Sequence, residues 1–172
     1  MQDRPRRPRA CALDLGKARV GVAIADELGL LAHVRPPLDG RDKKGLLEAL
    51  RELVREEGVE LFIVGLPLDM SGMAGPMAAK VEALAREIHA ATGVPVELYD
   101  ERWTTVEASR RLRQGGVEGR RQKGLVDGVA AAVMLQSWLD RAAYVGTSEG
   151  FSDMPLPAPM GQGGDRSSRR RR

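Results

Sequence analysis

The order of hydrophobic periods along this chain predicts an α/β domain. It should contain a mixed five-stranded sheet, three antiparallel strands followed by alternating helices and strands, with helices on both faces. Three observations carry that expectation. Apolar runs of strand length, punctuated by Gly and Pro, fill residues 11–37. From Leu46 the apolar spacing switches to the period of a helix. Short apolar runs ended by glycine then alternate with helical stretches as far as Arg141.

Cys11 to Leu15 reads as the first strand, closed by the turn signal Gly16-Lys17. Val20 to Ile24 alternates apolar with small residues and should form a hairpin with it. Leu31 to Val34 is a third short strand that Pro36-Pro37 is expected to stop. Leu46, Leu47, Leu50 and Val54 mark a first helix, with Gly58 as its C-terminal stop. Leu61 to Val64, closed by Gly65, is a buried strand. Gly75-Pro76 opens a second helix with Pro76 near its first position. Its expected inner face is Met77, Val81, Leu84, Ala85 and Ile88, and Gly93 closes it. Val94 to Tyr99 is a fifth strand. A third helix should start at Thr104 and run to about Arg113, where Gly115-Gly116 breaks it. A fourth covers about Leu125 to Arg141. Right-handed crossovers would place strands four and five beside strand one.

The chain's 172 residues suit one domain with a sizeable core. The composition shifts at both ends, which divides the sequence into a disordered basic arm (1–10), a folded domain (11–145) and a disordered Gly/Pro/Arg-rich tail (146–172). The net charge of +3 comes from those ends, because residues 11–145 hold 18 basic and 20 acidic side chains. One internal stretch differs: residues 110–123 carry Arg110, Arg111, Arg113, Arg120, Arg121 and Lys123 against Glu118 alone, a patch suited to a polyanion. No apolar stretch is long enough to span a bilayer, and the basic N-terminus lacks the apolar core of a signal peptide. Cys11 is the single cysteine, so no internal disulfide can form. Together these point to a cytoplasmic location without membrane contact.

Three carboxylates stand out. Asp14 ends the first strand just before Gly16, where it either bonds its own turn or faces a ligand. Asp100 and Glu101 follow the fifth strand, and adjacent residues of extended chain point to opposite faces. Only one of the two can share a site with Asp14, and the longer Glu101 is the candidate. Arg102 either holds a phosphate or pairs with Asp100. Asp127 lies in a stretch from Leu125 to Leu135 that is otherwise apolar or Gly. It is either the N-cap of a buried helix or a paired or metal-bound carboxylate. Thr104 and Glu107 form a capping-box pattern, which removes Glu107 from the ligand set; Thr105 has no such local explanation. The glycine-rich loop after Val64-Gly65-Leu66-Pro67 either cradles a phosphate or makes a tight turn. Trp103 either packs against a helix or stacks on a base. His33 and His89 have no partner at ligand spacing, which argues against zinc. The expected topology brings Asp14, Glu101 and Asp127 to one end of the sheet, and three carboxylates suit a hard divalent cation.

Four segments, ALDLGKARVGVAIAD (12–26), IVGLPLDMSGMAGP (63–76), DERWTTVEA (100–108) and KGLVDGVAAAVMLQSWL (123–139), resemble the YqgF, or RuvX, family over roughly residues 11–141. The resemblance implies an RNase H-like fold. Members are described as Holliday junction resolvases and as nucleases maturing the 5′ end of pre-16S rRNA. The resemblance puts the family's catalytic, metal-binding positions on Asp14, Glu101 and Asp127, with Mg²⁺ or Mn²⁺ as the metal. It implies that Arg102, Thr105 and Lys123 line the cleft. Lys17 in the first turn, with Arg110 and Arg121 of the basic stretch, completes the expected nucleic-acid contacts. Two positions depart from the family pattern: Ala25-Asp26 stands for Ser-Asp, and Asp69-Met70-Ser71-Gly72 for Asn-Met-Asp-Gly. The second puts the loop's contact with phosphate in question, because Asp69 would repel it.

The expected function is therefore metal-dependent endonucleolytic cutting of structured RNA, pre-16S rRNA first, with ribosomal particles as associated partners. Resolution of branched four-way DNA is the alternative, and it calls for a two-fold homodimer rather than a monomer. Two readings come from other classes. One is a nucleotide-binding module of the actin-like type, for which this chain lacks a second lobe. The other is a non-catalytic RNA-binding ribosome-assembly factor, indifferent to loss of the carboxylates.

Overall fold

The computed structural model describes residues 7–68, 71–103 and 126–145. Five strands form one sheet: β1 (Ala10–Leu15), β2 (Arg19–Ala25), β3 (Ala32–Asp39), β4 (Leu61–Leu66) and β5 (Val96–Asp100). Their spatial order is β3-β2-β1-β4-β5. β1–β2 and β2–β3 pair antiparallel, and β1–β4 and β4–β5 pair parallel. Strand four thus lies beside strand one, as the crossover argument required, whereas strand five lies beyond strand four.

Helices α1 (Lys43–Glu57), α2 (Pro76–Thr92) and α3 (Val126–Val145) cover the sheet. A single turn of 3-10 helix, Glu101–Trp103, follows β5 directly. The strand alternation assigns the two faces. Cys11 and Leu13 of β1, with Phe62 and Val64 of β4, pack with Leu46 and Leu50 of α1 and Val81 and Ile88 of α2. Ala10, Ala12 and Ile63 point the other way, onto Ala131, Met134, Leu135 and Trp138 of α3. Small residues on β1 and β2 and a run of alanines in α3 let that helix lie close to the sheet. Gly128 shows how close: a Cβ there would collide with Val34 Cγ1 and sit 3.2 Å from the Val22 carbonyl oxygen.

The predicted helix stops hold for the first two helices. Gly58 and Gly93 follow α1 and α2 in the left-handed conformation, at φ 66° and 73°, and their N–H groups cap the Val54 and His89 carbonyls. Four expectations change. The third strand runs through Pro36-Pro37 to Asp39, because β3 is a sheet edge where a missing N–H costs nothing. Its register jumps between Val20↔Leu38 and Val22↔Arg35, a bulge that takes up the proline pair opposite Gly21. Met77 is 54% exposed, and Ala78 takes the buried place on α2 with Val81, Ala85 and Ile88. The last helix continues beyond Arg141 to Val145. Finally, the sheet begins inside the stretch read as a disordered arm. Ala10 is the first residue of β1, Arg7 Nη1 donates to Gly29 O (3.2 Å), and Arg9 N donates to Glu60 Oε2 (2.9 Å). The helix expected from Thr104 to Arg113, residues 1–6 and the segment 146–172 lie outside the described residues.

One buried polar side chain ties α3 to the sheet. Gln136, fully buried, accepts from Ala32 N (3.0 Å) and donates to Leu30 O (3.0 Å) and Asp140 Oδ1 (3.1 Å). Trp138 Nε1 adds a bond to Glu97 Oε1 of β5 at 3.0 Å.

Candidate functional site

The parallel strands β1, β4 and β5 end on the same side of the sheet, and chain direction across the sheet reverses between β1 and β4. In open α/β sheets that switch point leaves a crevice beyond the strand ends. Asp14 is the penultimate residue of β1 there, partly buried and in register with Gly21. By alternation it shares the α3 face with Ala10 and Ala12. Glu101 opens the 3-10 turn at the end of β5. Asp14 and Glu101 line one cleft of about 360 Å³, whose remaining wall is Ala130, Val133 and Met134 of α3.

Gly65 makes this arrangement sterically feasible. A Cβ on Gly65 would sit 2.6 Å from Glu101 Oε1 and 3.2 Å from Met134 Sδ. The sequence reading took Gly65 as a strand terminator, but β4 continues to Leu66. Its reason is the carboxylate that lies over it. Nothing local in the sequence signals this, because Gly65 and Glu101 are brought together by the β4–β5 crossover. The α3 wall was also missed as a site surface, since Ala130, Val133 and Met134 read as ordinary helix core.

The pKa of Glu101 is raised above the usual carboxylate range, first by burial and then by the negative charges of Asp14 and Asp100. Asp100 turns away from that cleft and grips Arg102. Its Oδ1 accepts from Arg102 N and Nε, both at 3.0 Å, and its Oδ2 accepts from Arg102 Nη2 at 2.6 Å. The division of labour expected of adjacent residues, Glu101 toward Asp14 and Asp100 elsewhere, is therefore what the chain adopts. The Arg102 guanidinium lies against the β4–α2 loop: a Cβ on Gly72, whose φ is +82°, would meet its Nη1 at 3.2 Å. Any residue with a side chain would be strained there as well as crowded.

The other candidates are placed as follows. Lys17 is exposed in the β1–β2 turn, at the same end of the sheet as Asp14. Asp127 is the second residue of α3 and immediately precedes Gly128; its side chain lies outside the described residues. Asp69, Thr105, Arg110, Arg121 and Lys123 also lie outside them. Gly128, the residue after Asp127, is explained by close packing on β2 and β3. His89 Nδ1 is 2.9 Å from Val94 O, and His33 is exposed on β3. Among the described residues no group of three His, Cys, Asp or Glu side chains is placed to hold a metal, and no helix is long and apolar enough to cross a membrane. Asp14 and Glu101 offer an oxygen-only pair of like charge, which suits a hard cation and is relieved by one.

The chain is similar to RuvC of T. thermophilus solved with a Holliday junction substrate, with a TM-score of 0.52 at 15% identity over 78% of this chain and 96% of that one. A yeast mitochondrial Holliday junction resolvase gives the same TM-score at 12% identity, covering 82% of this chain and 81% of that one. At such identities the likeness shows the fold, which is RNase H-like. Sequence relatives are much nearer. A protein of Anaeromyxobacter sp. (strain K) named "Putative pre-16S rRNA nuclease" is 45% identical over 78% of this chain and 98% of its own length. One of Moorella thermoacetica with the same name is 44% identical over 80% of this chain and 99% of its own. The family model described as "RuvX: Holliday junction resolvase" matches residues 8–141, that is, every strand and helix described above but the last turn of α3, and the chain belongs to that RuvX (YqgF) family.

Proposed function

We propose that this protein is a metal-dependent endonuclease that hydrolyses phosphodiester bonds of structured RNA, and that its reaction is maturation of the 5′ end of pre-16S rRNA on ribosomal precursor particles in the cytoplasm. The observation that carries this reading is the Asp14–Glu101 carboxylate pair in one cleft at the switch point of an RNase H-like sheet. The name shared by the sequence relatives supports RNA as the substrate.

In this reading Asp14, Glu101 and Asp127 hold Mg²⁺ or Mn²⁺. Bound there, the metal supplies a lowered water pKa and neutralises charge on the phosphate oxygens. The chain's own groups do the rest. Asp14 and Glu101 would hold the cation at this end of the sheet, and Gly65 keeps the space for Glu101. The apolar wall of Ala130, Val133 and Met134 limits water on one side of the cleft. Arg102, held rigid by Asp100, contacts a phosphate of the bound strand, and Lys17, Thr105, Lys123, Arg110 and Arg121 extend that contact. Arg serves such a role well because its planar fork is pre-organised.

The test compares wild type with Asp14→Asn on a pre-16S leader fragment and on a synthetic four-way DNA junction, with and without Mg²⁺ or Mn²⁺. RNA cutting that requires metal and falls at least about 100-fold in the variant is the expected result, since loss of a ligand exceeds the ~10–100-fold cost of losing a residue that merely supports one. Junction cutting without RNA cutting would move the substrate to branched DNA, the reading favoured by the family description and the resolvase folds. That reading also demands a two-fold dimer, which sedimentation would reveal. Unchanged rRNA processing in cells carrying Asp14→Asn would replace both with a non-catalytic RNA-binding role.

A further inference from the structure

Two large apolar side chains are exposed along the β4–α2 connection and the first turn of α2. Met73 is 67% and Met77 54% exposed. Neither belongs to either core cluster. Their place in the fold is specific. Met73 follows Gly72, the residue against which the Arg102 guanidinium lies. The pairing of Leu68 with Ala74 closes this loop on itself, which fixes Met73 at the edge of the turn. Met77 sits in the first turn of α2, after Gly75 and Pro76. Its neighbour Ala78 is buried, so Met77 faces outward. Lys80, three residues on and therefore on the same side of the helix, is exposed as well.

Along the chain the chemistry alternates: the Arg102 guanidinium, paired with Asp100, lies at Gly72, and two methionines and then the Lys80 cation follow. A nucleotide has the same alternation, an apolar base face between two phosphates. Thioether side chains are polarisable and adapt to ring faces of any base. A base still stacked and paired in a duplex has no free face to offer. A protein surface would do so, but it would not need cations at both flanks.

We propose that Met73 and Met77 form a nucleobase subsite where the β4–α2 connection enters α2, with Arg102 and Lys80 on the flanking phosphates, so that the strand is engaged where a base is unpaired. This rests on the nuclease reading and narrows it to single-stranded or looped positions. It predicts no preference for base identity, because the contact is to the ring face.

The test measures binding by fluorescence anisotropy with the full chain in Ca²⁺, which supports binding without cutting. Three labelled probes of equal length are used: a single-stranded RNA, the same strand in a blunt duplex, and a strand with abasic sites at its central positions. Wild type should bind the single strand about tenfold more tightly than the abasic strand. Met73→Ser/Met77→Ser should lose that advantage and leave duplex and abasic affinities unchanged, which also shows the variant is folded. Met73→Leu/Met77→Leu should restore it. Equal affinity of wild type for the base-bearing and abasic strands overturns the subsite and leaves the nuclease reading standing. So does an equal loss on all three probes in the serine variant. Absence of binding to every probe overturns the nuclease reading and the subsite with it.

Discussion

Gly65 carries a cost and a function that a single substitution can separate. Gly65→Ala puts a methyl group 2.6 Å from Glu101 Oε1. The group that must move is the tip of a flexible side chain, so the fold should survive with a melting temperature lowered by only a few degrees. Activity should fall about 100-fold, because displacing a reacting group by about an ångström costs that much. Parallel melting and cleavage assays would separate the two effects. A large loss of stability with activity intact in the folded fraction would refute this assignment.

Glu101 makes a complementary prediction. Its pKa is raised on folding, so its ionised form destabilises the metal-free domain. That penalty is present above the folded pKa and disappears as pH falls below the unfolded one. Glu101→Gln should therefore raise the melting temperature in chelator at neutral pH, by roughly 2 °C for a domain of this size, and abolish activity. The gain over wild type should vanish in acid. A variant less stable than wild type at pH 7 in chelator would show that burial and repulsion do not dominate at this residue.

At the scale of elements, the seating of α3 decides the site, because its one face supplies both half of the core and the cleft wall. Gln136 is the polar part of that seating. Gln136→Leu keeps the volume but leaves Ala32 N and Leu30 O without their buried partner. The expected cost is about 1–3 kcal/mol, read as a lower denaturant midpoint at unchanged slope. A neutral result would mean that water reaches both groups. The approximate extent of α3 was visible in the sequence. Which of its faces meets the sheet was not, because the helix is apolar on nearly every side and offers no amphipathic contrast. The reverse holds for α2, where the period placed Met77 inside the core. Val81, Ala85 and Ile88 are buried as expected and only Met77 gives way to Ala78, because a small residue next to a large one gives a weak signal of which is inward.

At the scale of the whole molecule, stability should be greatest where the sheet is covered on both faces and paired on both edges. Those conditions meet in β1, which lies between β2 and β4 and is fully buried over Ala10–Leu13. Native-state hydrogen exchange should be slowest in β1, β2 and β4 and faster in the edge strand β3. Faster exchange in β1 than in β3 would contradict this order. Proline placement agrees with it: Pro36 and Pro37 sit on the edge, where a missing donor breaks no ladder.

The sequence alone determined the class of fold, the order of its described elements and the stops of α1 and α2. Those depend on local periods and on glycine's access to left-handed backbone, and both are written in neighbouring residues. Strand alternation, a local rule, also showed that only one of Asp100 and Glu101 could accompany Asp14, and side-chain reach pointed to Glu101. Only the tertiary structure decided why Gly65, Gly72 and Gly128 are glycines. Each of these is a close approach between segments far apart in the chain: Gly65 to Glu101, Gly72 to Arg102, and Gly128 to Val22 and Val34. Such proximity is set by how the crossovers fold back on the sheet, and no local pattern of residues encodes it.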